Sequence, residues 1–212
     1  MNRKQVGILL FENVEVLDFC GPFEVFSVVR LDEEKRRDEP SPFNVFLVAE
    51  TKKPVSTSGG MKVLPDYDLD DCPALNLLVV PGGWGTRTEM NNERLLKWIA
   101  ERASQVEILS SVCTGALLLG KAGLLRGKRA TTHWRSLDWM QELFPDAVVE
   151  KQLHFVEEGA LFTSAGISAG IDMSLRVVSR YFGETVARAT AKHMEYPFPE
   201  SGERRIAVNQ PA

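Results

Sequence analysis

One cysteine stands where a buried strand turns directly into a helix, and this junction limits the folds open to the chain. Residues 107–112, of which Ile108, Leu109 and Val112 are apolar, predict a strand, and the residues after Cys113, through Leu119, predict a helix. Ser111 and Gly115 lie two residues to either side of the cysteine, as small residues do around a nucleophile at a tight strand-to-helix turn. The pattern therefore predicts a nucleophile elbow with Cys113 at its tip.

The start of that helix is also expected to activate the sulfur. Unpaired backbone N–H groups and the positive end of the helix dipole favour an anion there. A thiolate in this position is expected to have its pKa lowered from about 8.5 to within roughly 3.5–7.5. The alternative is an inert buried cysteine, because free cysteine is among the most often buried residue types. The strand–Cys–Thr–Gly–helix setting favours the nucleophile.

Composition and charge argue against several classes of protein. The net charge is −4 and no predicted helix carries a Lys/Arg stripe, which argues against nucleic-acid binding. No run of about 18 apolar residues is available to span a membrane. The N-terminus leads into a short apolar strand without a small-residue cleavage site, so no signal peptide is predicted. The three cysteines, at 20, 72 and 113, do not make a disulfide framework and are not spaced like zinc ligands, so the cytoplasm is the expected compartment.

Strand and helix patterns alternate along the chain. Strands are predicted at 6–11, 44–49, 75–80, 107–112, 130–132, 148–157 and 160–163, with a small hairpin or bulged ribbon at 55–64. Helices are predicted from Gly21-Pro22 onward, at 91–104, after Cys113, at 134–143 and from Ser168 to about His193. This alternation predicts an α/β fold with a largely parallel sheet in one domain, residues 1–196, and a loose or docked tail at 197–212.

Sites in open α/β sheets form beyond the carboxyl ends of the strands, and this rule gathers four segments of the chain. The segments supply Asp18, Gly82-Gly83, Cys113-Thr114 and Gly166-Ile167. Backbone N–H groups of Gly83 and Thr114 can form an anion hole. Each segment also has a structural explanation: the aspartate can tether its loop, the glycines can make a plain turn, and the threonine can simply start a helix.

His133 lies one strand downstream of the Cys113 helix, so the two side chains can form a Cys–His pair, in which the histidine commonly deprotonates the thiol. Its structural alternative is a strand-end residue whose ring bonds to backbone. His154 and His193 are interpreted as structural or surface residues. A less favoured hypothesis makes Cys20 a redox partner of Cys113. The predicted substrate- or oxyanion-binding residues are Gly82, Gly83, His133, Gly166 and Ile167.

Five segments, 17–25, 80–83, 111–117, 124–134 and 161–172, resemble those of the ThiJ/PfpI family in the class I glutamine amidotransferase-like superfamily. The likeness is strongest to the isonitrile hydratase branch and extends from residue 6 to about 195. It implies a flavodoxin-like three-layer sandwich, a homodimer, a small-molecule substrate, and neither a metal nor an organic cofactor. It also implies that Cys113, Asp18 and Thr114 are catalytic residues.

The activity that the resemblance implies is the addition of water to an isonitrile, R–N≡C, to give an N-substituted formamide. Much the same motifs occur in sensor domains of AraC-type regulators, so a ligand-sensing domain without chemistry is one alternative. Glyoxalase-like or amide-cleaving chemistry is another, although Thr114 stands where those branches commonly have a histidine. The chain departs from the hydratase pattern in a charged insertion at 32–40, in Trp84, and in the bulky Phe19, Cys20 and Phe23 around the acid.

Overall fold

The computed structural model describes residues 3–208. Its strands, in chain order, are β1 (Lys4–Leu10), β2 (Phe43–Ala49), β3 (Val55–Ser56), β4 (Lys62–Val63), β5 (Tyr67–Asp68), β6 (Leu77–Val80), β7 (Ile108–Val112), β8 (Arg129–Ala130), β9 (Val148–Val149), β10 (Phe155–Glu158) and β11 (Leu161–Ser164). Its α-helices are α1 (Val16–Val28), α2 (Thr86–Glu89), α3 (Glu93–Ala103), α4 (Gly115–Lys121), α5 (Leu137–Leu143), α6 (Ala169–Phe182) and α7 (Glu184–His193). Short 3-10 helices lie at Glu33–Lys35 and Trp134–Ser136.

Seven strands form the central sheet, in the order β10-β11-β7-β6-β1-β2-β5. All neighbouring pairs are parallel except β10 and β11, which form an antiparallel hairpin at one edge. Helices cover both faces of the inner strands, so every residue of β6 and β7 is buried, including Ser110 and Ser111 of β7. The predicted α/β fold with a mostly parallel sheet is confirmed. The predicted ribbon at 55–64 is present as the antiparallel pair β3 and β4.

The chain leaves the middle of the sheet in two directions. From β1 it passes through α1 to β2 on one side, and from β6 through α2 and α3 to β7 on the other. Because parallel crossovers are right-handed, α1 and α3 lie on opposite faces of the sheet. Helix α6 packs with α1 and α7, whereas α4 packs with α3. The carboxyl ends of β1 and β6 form the topological switch point, where open α/β sheets bind ligands.

Helix α1 begins earlier than predicted. It starts at Val16 and carries Pro22 in its interior, whereas the sequence pattern placed Gly21-Pro22 at its beginning. Asp18 therefore lies in the first turn of α1 and not in a loop. The cause is tertiary packing, because the buried side chain of Phe19 anchors the extra turn against the core. Proline usually occupies the first turn of a helix, and this preference misplaced the boundary.

Two further boundaries are wrong in the sequence prediction. The single helix expected from Ser168 to about His193 is two helices, α6 and α7, divided at Gly183, whose φ of 86° ends the first helix. The strand expected at 148–157 is two short strands. β9 pairs with β8 in a separate small sheet, and β10 joins the central sheet.

The tail after α7 is docked over the part that the structure describes. The Gly202 carbonyl accepts a hydrogen bond from the His154 N–H at 2.7 Å, and the Arg204 N–H donates to the Gln152 carbonyl at 2.8 Å. Residues 1–2 and 209–212 of the predicted domain and tail lie outside the described residues. Within residues 3–208, no helix has both the length and the apolar character to cross a membrane. The domain boundary at 196, the homodimer and the cytoplasmic location stay predictions.

Candidate active site

Cys113 occupies a strained turn between β7 and α4. Its φ is 57°, in the left-handed region that side chains other than glycine seldom adopt. Three hydrogen bonds hold this conformation: the Cys113 N–H donates to the carbonyls of Ser164 at 3.2 Å and Ala165 at 3.1 Å, and its carbonyl accepts from the Thr132 hydroxyl at 2.7 Å. The surrounding structure therefore fixes the direction in which the sulfur points.

Gly115 explains why the elbow needs a small residue on its helix side. A Cβ at this position would lie 2.1 Å from the Val80 carbonyl oxygen, well inside contact distance. The absent side chain allows α4 to pack directly against the end of β6. This close packing brings the Cys113 turn beside the loop that follows β6.

Asp18 lies below this turn and is fully buried. Its Oδ2 atom accepts a hydrogen bond from the Gly82 N–H at 3.0 Å, whereas Oδ1 has no hydrogen-bond partner among the described residues. Burial, assisted by the negative charge of Glu15, raises the pKa of Asp18 to about 7 in spite of the Gly82 N–H. The carboxyl therefore changes protonation state near neutral pH, as an acid–base group in catalysis requires.

The Cys113 thiol and the Asp18 carboxyl lie close enough for each to shift the pKa of the other. Burial raises the pKa of the thiol well above its ordinary value, and the Asp18 charge raises it as well. The Thr114 N–H acts in the opposite direction but does not outweigh them. The expected lowering of the Cys113 pKa is therefore wrong. Helix α4 has only seven residues, so its dipole is weak, and the sulfur is desolvated. Cys113 is therefore a neutral thiol at rest, and it would need a base in order to act as a nucleophile.

Thr114 interlocks with the loop after β6. Its Oγ1 atom accepts a hydrogen bond from the Gly83 N–H at 3.0 Å and from the Thr86 hydroxyl at 3.2 Å. An anion hole built on the Gly83 N–H therefore requires that the bond to Thr114 break. A Cβ on Gly82 would lie 2.5 Å from the Thr114 nitrogen, so this glycine allows the two loops to approach each other.

His133 packs on the fourth predicted segment. A Cβ on Gly166 would lie 2.1 Å from Cδ2 of the His133 ring. Nδ1 of the ring accepts a hydrogen bond from the Arg135 N–H at 3.3 Å, as in the structural alternative, so the neutral ring carries its proton on Nε2. Burial and the nearby charges of Arg135 and Arg204 lower the pKa of His133, which keeps the ring neutral at pH 7.

A cleft of about 230 Å³ opens onto the sulfur. Its walls consist of Glu15, Gly83, Trp84, Arg87, Cys113, Thr114, His133, Arg135, Ser136 and Ile167. Only 6% of Cys113 is exposed, so a reagent must reach the sulfur through this cleft. Ile167 has a φ of 60°, an outlier for a β-branched residue, and thus adds a second strained backbone to the wall. Another cleft, of about 260 Å³ beyond β1 and β2, contains neither cysteine nor histidine.

Comparison with known proteins assigns the family. The sequence profile of the DJ-1/PfpI family matches residues 4–180 of the chain. The chain belongs to the DJ-1/PfpI family. The matched residues include the Cys113 elbow, the buried Asp18 beside it and the residues of the cleft above them.

Two relatives of the chain have names that indicate different functions, one an enzyme and the other a regulator. An isonitrile hydratase from Pseudomonas putida is 38% identical over 192 residues, which cover 91% of this chain and 78% of that protein. The HTH-type transcriptional regulator GbdR from Pseudomonas aeruginosa is 28% identical over 195 residues, covering 92% of this chain. The match spans 51% of the regulator's length. The family therefore includes both enzymes and regulators.

Solved structures agree with the family assignment. A ThiJ/PfpI family protein from Pseudomonas syringae superposes with a TM-score of 0.81 at 29% identity, covering 95% of this chain and 78% of that chain. Drosophila melanogaster DJ-1beta superposes with a TM-score of 0.76 at 20% identity, and the match covers 92% of this chain and 100% of that chain. The second likeness supports the flavodoxin-like fold alone. The predicted resemblance to the ThiJ/PfpI family is confirmed.

The structure brings the predicted site residues of this DJ-1/PfpI protein together in two layers. Gly83, Cys113, Thr114, His133 and Ile167 lie in the cleft wall. Asp18, Gly82 and Gly166 lie behind it: Asp18 accepts a hydrogen bond from Gly82, Gly82 packs against Thr114, and Gly166 packs against His133. Their catalytic and binding roles stay predictions.

Sequence reasoning missed four residues of the cleft wall: Glu15, Arg87, Arg135 and Ser136. Charged and polar side chains of this kind resemble ordinary surface residues, and periodicity carries no signal for them. Their positions just after predicted strands were the one available indication. Among the described residues, no group of three or more His, Cys, Asp or Glu side chains is arranged to hold a metal ion.

Proposed function

We propose that this protein adds water to the terminal carbon of an organic isonitrile and releases an N-substituted formamide. The observation that carries this proposal is the pairing of a neutral, buried Cys113 thiol with an Asp18 carboxyl whose pKa is about 7. Such a pair can pass one proton back and forth at neutral pH. The 38% identity to the Pseudomonas putida isonitrile hydratase supports the choice of reaction.

In the first half of the proposed reaction, Asp18 is a carboxylate and accepts the proton of the Cys113 thiol. The sulfur attacks the terminal carbon of R–N≡C, and Asp18 returns the proton to that same carbon. One C–S bond and one C–H bond form, which gives the thioimidate R–N=CH–S–Cys113. The proton that activates the nucleophile is thus the one that the substrate carbon receives, so a neutral thiol at rest is no obstacle.

In the second half, Asp18 is again a carboxylate and accepts a proton from water as the oxygen adds to the thioimidate carbon. Transfer of that proton to the nitrogen gives R–NH–CH(OH)–S–Cys113. When the C–S bond breaks, the hydroxyl proton passes through Asp18 to the departing sulfur. The products are R–NH–CHO and the original thiol, so one water molecule is consumed and no oxidant or reductant is needed.

Thr114 supports both halves in this scheme. Its N–H interacts with the sulfur and favours the developing thiolate, while its side chain holds the loop after β6 against the elbow. The three hydrogen bonds that fix the Cys113 backbone keep the sulfur aimed at the cleft. Attack therefore needs no rearrangement of the elbow.

The direct test is the conversion of cyclohexyl isocyanide to N-cyclohexylformamide by the purified protein, measured by gas chromatography. Cys113→Ala is expected to abolish turnover, and Asp18→Asn to lower it by at least about 100-fold, since a positioned acid–base group typically contributes 10²–10⁴-fold. Cys72→Ala removes a thiol outside the cleft and is the matched control, expected to retain activity.

Three results would contradict the proposal. Unimpaired turnover by Asp18→Asn would remove the proton-transfer scheme. Absence of formamide, combined with conversion of methylglyoxal to lactate, would favour glyoxalase-like chemistry. Binding of small molecules in the cleft without any turnover would favour the sensing alternative, which the likeness to the regulator GbdR supports.

A further inference from the structure

Two arginines in the cleft wall are held on tryptophan faces. The guanidinium carbon of Arg87 lies 4.2 Å from the ring centroid of Trp84 and 5.4 Å from that of Trp139. The guanidinium carbon of Arg135 lies 4.8 Å from the Trp134 ring centroid. Stacking of this kind restrains the side chain while leaving the N–H edge of the guanidinium plane available to a ligand.

Neither of these arginines is neutralised by the protein. Among the described residues, no carboxylate forms an ion pair with Arg87 or Arg135, and the hydrogen bonds of both arginines involve their backbone atoms only. Other arginines of the chain are paired, for example Arg94 with Asp70 at 2.9 Å. Two preorganised cations thus face the cleft with their donors free.

The remaining charges of the cleft favour an anion as well. Glu15 is the one carboxylate in the described wall, set against two arginines. His133 is neutral at pH 7 because its pKa is lowered, and Asp18 lies behind the wall. The cleft wall therefore carries a net positive charge above the thiol.

We propose that the preferred substrates are anionic isonitriles, in which a short linker joins the isonitrile group to a carboxylate that Arg87 and Arg135 bind. This inference rests on the proposed function for its reaction and adds the substrate class. Charge-assisted hydrogen bonds to a carboxylate are stronger than neutral ones, and a guanidinium can make two of them side by side. Trp84, which is 68% exposed at the rim, positions the Arg87 plane for this contact.

The test compares kcat/KM for isocyanoacetate and 3-isocyanopropanoate with kcat/KM for their neutral methyl esters. The wild-type protein is expected to prefer the better of the two acids over its ester by at least about tenfold, the effect of one hydrogen bond to a charged group. Arg87→Gln and Arg135→Gln are each expected to lower kcat/KM for that acid by about tenfold and for its ester by less than about twofold. Arg180→Gln, an exposed arginine outside the cleft, is the matched control and should change neither.

Equal or better turnover of the esters, or equal losses for acid and ester in the arginine variants, would overturn the inference. If no isonitrile is hydrated, the proposed function fails, and the charge preference is then decided by calorimetric titration. Tighter binding of N-formylglycine than of its methyl ester, lost in Arg87→Gln and Arg135→Gln, would still support an anion-selective cleft. Equal binding of the two would overturn it.

Discussion

Replacing Asp18 by asparagine is expected to stabilise the folded protein at alkaline pH while it removes activity. The pKa of Asp18 is about 7 in the folded protein, against an ordinary value of 3.8. Each pKa unit corresponds to about 1.4 kcal/mol, so the buried carboxylate costs the folded state up to about 4 kcal/mol once it is ionised. Asparagine keeps an oxygen for the Gly82 N–H and carries no charge.

The raised pKa sets the pH window of this effect. Relative to the unfolded chain, the stability that the bound proton contributes is complete below pH 3.8 and is lost as the pH rises through about 7. Between these values unfolding releases a proton, so the free energy of unfolding falls as the pH rises. From pH 5 to pH 8.5 the wild-type protein should lose about 3 kcal/mol that the Asp18→Asn variant retains.

Urea unfolding of both proteins at pH 5 and pH 8.5, followed by tryptophan fluorescence, measures this difference. Asp138→Asn is the matched control, because its carboxylate is 84% exposed and should show no comparable gain. If the free-energy difference between wild-type and Asp18→Asn proteins is the same at both pH values, Asp18 is not a carboxyl with a raised pKa. The proposed proton transfer would then lose its basis.

Three other perturbations test separate parts of the structure. Glu15→Gln removes a negative charge that raises the pKa of Asp18, so the acid limb of the pH profile of kcat/KM should move to lower pH. An unmoved limb would show that the charge of Glu15 does not act on Asp18. Gly115→Ala places a Cβ 2.1 Å from a backbone oxygen and should lower the free energy of unfolding by about 3 kcal/mol or prevent folding. The control is Gly59→Ala, whose new Cβ would have nothing within 4 Å and should change that free energy by less than about 0.5 kcal/mol. Arg204→Met removes a cation of the C-terminal tail that lowers the pKa of His133, so an NMR titration should find that pKa raised. An unchanged pKa would show that the tail does not act on His133.

Much of the fold could be predicted because its signals are local. A buried strand such as β6 is a continuous apolar run, and the alternation of strands with helices permits few topologies. The boundaries that were wrong depend on distant contacts. The first turn of α1 forms because Phe19 is buried in the core, against the usual preference of Pro22 for a helix start. Gly183, by contrast, was a local stop signal that the helical periodicity on both sides concealed.

The sequence alone indicated which residues meet in the candidate site, because an elbow requires small neighbours around Cys113 and the sheet topology gathers the loops at one edge. Their chemistry was decided by the tertiary structure. Desolvation raises both pKa values and the charge of Asp18 raises that of Cys113 further, which reversed the direction expected for the thiol. The arginines on their tryptophan faces likewise exist only in three dimensions. Sequence neighbours set the backbone turn, whereas electrostatics depends on the solvent and charges that folding brings near each atom.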